Sequence, residues 1–575
     1  VTQDSHPDGG KPLFRPTYRL IGFCLLVGLL GAFSAMVFDY LVNFAQHWLL
    51  ETIGGYQPPA PHDTTTIVPR GLSLFWLPVV TTLGGLVSGF IVYRWAPEAE
   101  GHGTDAAVGA YHTEAGEIRG RIPFIKAISS ALTIGSGGVA GREGPTAQIT
   151  VGLGAIIGRL FGLRGQERRT LLLASMAAGL SAVFRAPLGM AIFAVEILYS
   201  GMVFESEALI YTVIAAVTSY AAFGFFNGWD PLFAFPTGLT FDQPLVLLGF
   251  ALLGVLAGVV ATVLPTLLYR VRDLFLRMPG PPHIRPAIGG LLVGLGAMAA
   301  PEILGTGYGW VELAVLGNLS FATISILLLV KGPAMALTIG SGGSGGVFAP
   351  TVTLGAMLGA ATGMALDHLL PGAGIQVPAF VVVGMAAVFA GAARTPISTL
   401  IMVAEMTGSY GLIVPAMLAN ILAFMVQSTL TASWRYPTLY ESQVGTREDS
   451  PLHRGVFVRR ALQMIEGESL DAEEFELPRL VSLLRFGSPI PVADGQAMLV
   501  ALDVEEGALL AGRTVAETFG SIVGATAVAV LHGEEMLTPR GDTCIEAGDR
   551  VLVVAKQEAL AAIEAAARAA DDALR

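Results

Sequence analysis

Glu143 and Arg142 form a charged pair inside a glycine loop, TIGSGGVAGREGPTAQITVGLGA (133–155), of a chain that is 53% hydrophobic and only 14% charged. Gly141 and Gly144 flank the pair, and glycine lets a backbone approach a ligand closely. Pro145 suits the first turn of a helix, where free N–H groups carry partial positive charge and favour anions. The stretch TIGSGG at 133 recurs at 338, 205 residues on, followed by GGVFAP (345–350). In that register Gly141 meets Gly346, Pro145 meets Pro350 and Thr146 meets Thr351. Two such loops would make an anion site from backbone alone, without a basic side chain. Glu143 falls opposite Phe348, so one ionisable group breaks the symmetry beside that site. Inside a membrane such a group is functional by default; the plainer alternative is that it only pairs with Arg142.

These loops need elements to hold them. Mean hydropathy is +0.64, and the runs 18–38, 71–95 and 244–268 are long enough to cross a hydrocarbon core of roughly 30 Å as helices. The runs 170–183 and 379–390 are shorter, and Gly and Pro interrupt others. Lipid tolerates incomplete helices only where the backbone is buried in protein or lines a wet cavity. A second repeat places RAPLGMAIFAVEI (185–197) against RTPISTLIMVAEM (394–406), matching Arg185, Pro187 and Glu196 with Arg394, Pro396 and Glu405. Because those charges occur in both halves, they are read as structural pairing or capping groups. The fold class expected is a mostly α-helical polytopic membrane protein with two internal repeats, about 18–235 and 244–432. The repeats are expected to be inverted, with discontinuous helices directed at an anion near the midplane.

The net charge of −12 lies mostly in the tail, where residues 451–575 carry 20 acidic and 11 basic side chains. Nothing reads as a nucleic-acid surface or a polybasic lipid anchor. Basic residues before the first span (Lys11, Arg15, Arg19) and at 159–169 and 270–277 mark cytoplasmic segments, whereas 51–66 and 226–243 lack Lys and Arg and face outward. Both termini are therefore expected in the cytoplasm of a multi-pass inner-membrane protein, with no cleavable signal. Cys24 and Cys544 suggest neither a disulfide nor a metal site and are read as inert packing. His102 and His112, ten residues apart, lack metal-ligand spacing. GGSGG (342–346) satisfies G-x-S-x-G only formally, without a preceding strand or triad partners, and no Walker lysine follows either loop. No enzyme, no metal and no resident cofactor are expected.

GREGP (141–145), GGVFAP (345–350) and the late tyrosine of YPTLYES (436–442) together resemble the CLC family of chloride channels and proton-coupled chloride exchangers, over roughly residues 18–445. The resemblance implies the CLC fold and a homodimer in lipid, each subunit with its own pathway for chloride or other small anions. It makes Glu143 the gating glutamate, a tethered carboxylate that competes with the anion. Gly141, Arg142 and Gly144, with Val347 and Phe348, would line the anion sites through backbone N–H groups. Tyr440 would donate its hydroxyl at the central site, with Tyr436 as the nearby alternative. Two departures stand out. GHGTD (101–105) puts His102 where the family has a serine, so the anion would meet a ring or backbone N–H of a residue that titrates near neutrality. Ile197 stands where exchangers carry a second glutamate, and isoleucine carries no proton. The expectation is therefore a chloride channel gated by Glu143, with a proton-coupled exchanger of the same family as the alternative.

The rest of the chain reads as an N-terminal cytoplasmic segment (1–17), a linker (446–490) and a small α+β domain (491–575) of short β-rich runs and turns. LAGRTVAE (510–517) and GDTCIEAGDRVLVV (541–554) resemble the TrkA C-terminal (RCK-C) domain, which implies regulation, dimerisation and a small-molecule ligand. The tail lacks the glycine-rich dinucleotide fingerprint, so no NAD site is expected. Its last stretch, EALAAIEAAARAADDALR, favours helix. A potassium transporter subunit, which the tail alone would suit, needs a TVGYG-like filter, and none occurs.

Overall fold

Apolar runs cut by glycine and proline give helices of unequal length. The first half runs α1 (Tyr18–Gln46), α2 (Trp76–Trp95), α3 (Thr104–His112), α4 (Ile122–Gly135), α5 (Glu143–Leu160), α6 (Gly165–Phe184), α7 (Pro187–Glu196) and α8 (Leu209–Asn227). The second repeats the order as α9 (Val246–Leu276), α10 (Arg285–Ala299), α11 (Tyr308–Val315), α12 (Phe321–Gly340), α13 (Phe348–Leu369), α14 (Val377–Ala393), α15 (Pro396–Thr407) and α16 (Ile413–Leu430). This computed structural model describes residues 18–450 and 490–567, except 64, 68–70, 114–115, 234, 237, 242, 448, 493–496, 521–523, 533–534 and 538. The N-terminal segment 1–17, most of the 446–490 linker and the last eight residues lie outside the described residues. The chain divides into two compact units, Val1–Gly445 and Thr446–Arg575.

Among the described residues seven helices are long and apolar enough to cross a membrane. α3, α7, α11 and α15 have 9, 10, 8 and 12 residues. At about 1.5 Å per residue none of the four can span the bilayer. Their ends are therefore satisfied by protein. α14 is buried at every residue from Ala379 to Ala393, as an all-round apolar helix requires. α9 instead exposes Leu248, Leu252, Val255, Val259 and Val263, one apolar helical face left uncovered by the rest of the chain.

The halves meet through reciprocal contacts, as a two-fold axis demands. Gly141 N–H donates to Gly346 O and Gly346 N–H to Gly141 O, both at 2.7 Å. Glu196, ending α7, accepts from the N–H groups of Ile397 (3.1 Å) and Ser398 (2.8 Å) at the start of α15. Glu405 in α15 accepts from Leu188 (3.2 Å) and Gly189 (2.8 Å) at the start of α7. Each half thus caps the other's short helix with a carboxylate, which suits the positive end of a helix dipole. The matching arginines do not pair with these glutamates. Arg185 and Arg394 end α6 and α14 in the left-handed region. Arg185 donates to the carbonyls of Asp230 and Asn227, and Arg394 to Gln427 and Thr431.

In the second unit a five-stranded antiparallel sheet has the order β1-β2-β7-β4-β5, built from β1 (Ile490–Val492), β2 (Ala497–Asp503), β4 (Ala525–His532), β5 (Glu535–Leu537) and β7 (Arg550–Ala555). β3 (Arg513–Thr514) pairs with β6 (Cys544–Ile545). Val500, Leu502, Val551 and Val553 face a core shared with Phe519, Ile545 and Ile563. Ile563 belongs to α18 (Gln557–Ala567), the described part of the expected terminal helix. A capping box starts α17 (Val515–Phe519): Thr514 Oγ1 accepts from Glu517 N–H, and the Glu517 carboxylate from Thr514 N–H. Those bonds to Thr514 hold the Glu517 carboxyl below the usual carboxylate range. Cys24 is buried, whereas Cys544 is exposed rather than packed.

Candidate functional site

Four helices begin together here. Gly103 (φ 79°) and Gly307 (φ 92°) turn the chain into α3 and α11 through a conformation that favours glycine, while the GREGP and GGVFAP loops start α5 and α13. The loops meet backbone to backbone. A Cβ at Gly144 would lie 1.8 Å from the His102 carbonyl oxygen, and one at Gly346 would lie 2.8 Å from Gly144 N.

Two fully buried lysines, 205 residues apart, fix this arrangement. Lys126 Nζ donates to the carbonyls of Ala99 (3.0 Å) and Gly101 (2.7 Å). Lys331 Nζ donates to those of Ile303 (2.8 Å) and Gly305 (2.9 Å). Each Nζ binds the carbonyls that precede a helix start, which satisfies a buried polar group that would otherwise be costly. The sequence reading passed over both. The signal that could have found them is their spacing, the repeat offset itself.

Glu143 is the first residue of α5 and is 2% exposed. Its Oε1 accepts a hydrogen bond from the hydroxyl of Tyr308, the first residue of α11. Its Oε2 is buried and completes no hydrogen bond. It lies toward the backbone amides of Glu143 and Ala349, folded over Gly141, where a Cβ would meet it at 1.9 Å. A carboxyl group thus occupies the space between helix N-termini that suits an anion. Arg142 turns away to an ion pair with Asp39 of α1. Its guanidinium is thus paired with an acid of another helix rather than with its neighbour alone. Val347 caps α13, and the Phe348 ring packs against Phe184 and Phe389, both at 4.5 Å between centroids. Tyr308 was also missed; GTGY (305–308) repeats GHGT (101–104) with a tyrosine in the fourth place. Phe233 covers it edge-on at 5.3 Å.

His102 and Tyr440 are buried with ring centroids 5.4 Å apart. Nδ1 of His102 is buried without a hydrogen-bond partner. A cavity of about 350 Å³ reaches His102 and is lined also by Glu98, Glu100, Asp105 and Arg272 among others. Tyr436 is engaged elsewhere, donating to Asp273 at 2.8 Å and stacking on Tyr269 at 4.8 Å. Ile197 is fully buried at the end of α7, and its carbonyl accepts from Gln443 Nε2 at 2.9 Å. His102 precedes α3 and His112 ends it. Among the described residues no group of three His, Cys, Asp or Glu side chains could hold a metal ion.

The family model described as voltage gated chloride channel matches residues 84–428, and the TrkA-C domain model matches 499–568. The H(+)/Cl(-) exchange transporter ClcA of Yersinia pestis bv. Antiqua is 32% identical over 378 residues, 65% of this chain and 79% of that protein. A ClcB-like chloride channel protein of Ralstonia nicotianae, so named only provisionally, is 30% identical over 436 residues, 74% of this chain and 97% of that protein. The crystal structure of a slow cyanobacterial Cl−/H+ antiporter shares the fold, with a TM-score of 0.65 at 22% identity over 74% of this chain and 97% of that one. The exchange-transporter relative overturns the channel expectation drawn from Ile197. The physical reason is that an aliphatic side chain at one position removes one proton carrier and leaves every other titratable group in place. With paired glycine loops, reciprocal helix caps and a family match across both halves, the chain belongs to the CLC family of anion transporters and carries a C-terminal TrkA-C domain.

Proposed function

We propose that this chain exchanges chloride for protons across a plasma membrane. The observation that carries the reading is the buried Glu143 carboxylate between the starts of α5 and α13, hydrogen-bonded to Tyr308. A carboxylate and a chloride ion compete for the same amides, and the carboxylate gives them up when it takes a proton. Coupling follows, because the anion advances when Glu143 is protonated or displaced. Backbone amides of Gly141, Arg142, Gly144, Val347 and Phe348 serve the outer anion position. His102, which lines the cavity, and Tyr440 beside it serve the inner one. The relatives' names support the substrate pair, chloride and proton.

In this reading the functional unit is a homodimer with one pathway per subunit. Residues 18–445 form the transport domain, 446–490 a linker, and 491–575 a cytoplasmic regulatory domain that takes a small ligand. Arg272 and Leu276 at the end of α9 line the cavity, and their basic segment is the kind kept in the cytoplasm. The cavity is thus the cytoplasmic mouth. The test is proteoliposomes with a chloride gradient and a proton-sensitive electrode. Wild-type protein should drive protons against their own gradient, and Glu143→Gln should abolish that movement. Chloride flux without proton movement from wild-type protein would overturn the reading.

A further inference from the structure

We infer that His102 is the proton carrier on the cavity side, passing protons between the cavity and Glu143 in place of the carboxylate that Ile197 lacks. This rests on the exchanger reading. Two observations single out the imidazole. Its Nδ1 is buried and unpartnered, and His102 lines the cavity together with Glu98, Glu100 and Asp105. Charged side chains line part of the cavity, and it is roomy enough for water.

The charged groups around His102 are Asp105, Lys126, Arg272 and Glu441, with the Tyr440 ring against it. Each charge is already engaged. Asp105 accepts from Ser442 N–H (2.8 Å) and Oγ (2.9 Å). Arg272 donates to Glu441 at 2.6 Å, and Lys126 holds the carbonyls of Ala99 and Gly101. None competes for the imidazole nitrogen. On the other side the His102 backbone packs against Gly144, next in sequence to Glu143. His102 therefore stands between the wet cavity and the gating carboxylate.

The step balances simply. A hydronium ion reaching the cavity gives its proton to neutral imidazole and becomes water; the imidazolium, whose charge favours a chloride beside it, gives that proton through water to the Glu143 carboxylate. Glu143 becomes a neutral acid and His102 returns to neutral imidazole, with no other bond made or broken. A second buried carboxylate, Glu205, fully buried and holding the Tyr199 hydroxyl at 2.8 Å, is the competing carrier.

The experiment measures proton and chloride flux together from full-length protein in liposomes. His102→Gln keeps a donor but cannot titrate near neutrality, so its proton-to-chloride ratio should fall about tenfold or more, whatever its chloride rate. Ile197→Glu added to His102→Gln should restore part of the ratio, and Glu205→Gln should leave it at the wild-type value. If His102→Gln does not insert, His102→Asn is read in the same way. An unchanged ratio in the His102 variants of a coupled wild type overturns this inference alone, as does collapse in Glu205→Gln. Absent coupling in wild type instead removes the exchanger reading on which it rests.

Discussion

A carboxylate held among helix N-termini leaves as readily as its last hydrogen bond allows, and for Glu143 that bond comes from Tyr308. Bonds to charged groups contribute about 1.5–3 kcal/mol. Tyr308→Phe should therefore let chloride displace the carboxylate more easily and lower the half-saturating chloride concentration of transport by roughly tenfold, read from initial rates in liposomes. Unchanged saturation would mean that the hydroxyl does not restrain the carboxylate. The same residues mark how far the sequence could be read. Glu143 was legible because a repeat breaks at it. Tyr308 was not, because its counterpart Thr104 gives no hint that a tyrosine there would cross to the other half. Arg142 suggested a local pair with its neighbour, but its partner Asp39 lies in α1, over a hundred residues earlier. Side-chain partners set by the crossing of distant helices leave no local pattern.

Short helices need finished ends, and here the caps come from the opposite half. Glu405→Ala leaves the N–H groups of Leu188 and Gly189 without their acceptor. Loss of a cap of this kind costs about 1–2 kcal/mol, which should lower the thermal unfolding midpoint in detergent; Glu405→Gln, which keeps an acceptor, should lower it less. Gly144→Ala meets a backbone oxygen at 1.8 Å rather than a flexible side chain. That variant should reach the membrane yet lose transport. In the tail, Thr514→Ala removes one bond of the α17 box and should destabilise that domain by about 1 kcal/mol, read from its protease resistance in the full-length protein. Because Glu517's carboxyl is held below its usual range, its contribution is present above the unfolded value and fades as pH falls through the folded one. Glu517→Gln should flatten that acid-side decline. The spans and broken helices were legible from run length. The reciprocal use of Glu196 and Glu405 was not, since a repeat shows that two residues correspond but not that each serves the other's helix.

The molecule joins two halves whose contacts exchange across a pseudo-two-fold axis to a separate α+β unit. Residues 451–575 carry 20 acidic against 11 basic side chains, so the acidity belongs to the tail rather than to the anion pathway. Deleting 490–575 should leave flux measurable in liposomes; complete loss of flux from inserted protein would show the tail to be part of the transport machinery. The exchange of caps also sets an order in time. Glu405 lies more than 200 residues after the helix it finishes, and a ribosome adding about 5–20 residues per second needs on the order of ten to forty seconds to reach it. For that interval the nascent first half sits in the bilayer with α7 open at its start. Two fragments divided near residue 236, synthesised as separate chains, should still assemble, because what completes each half is carried by its sister and not by the peptide that joins them.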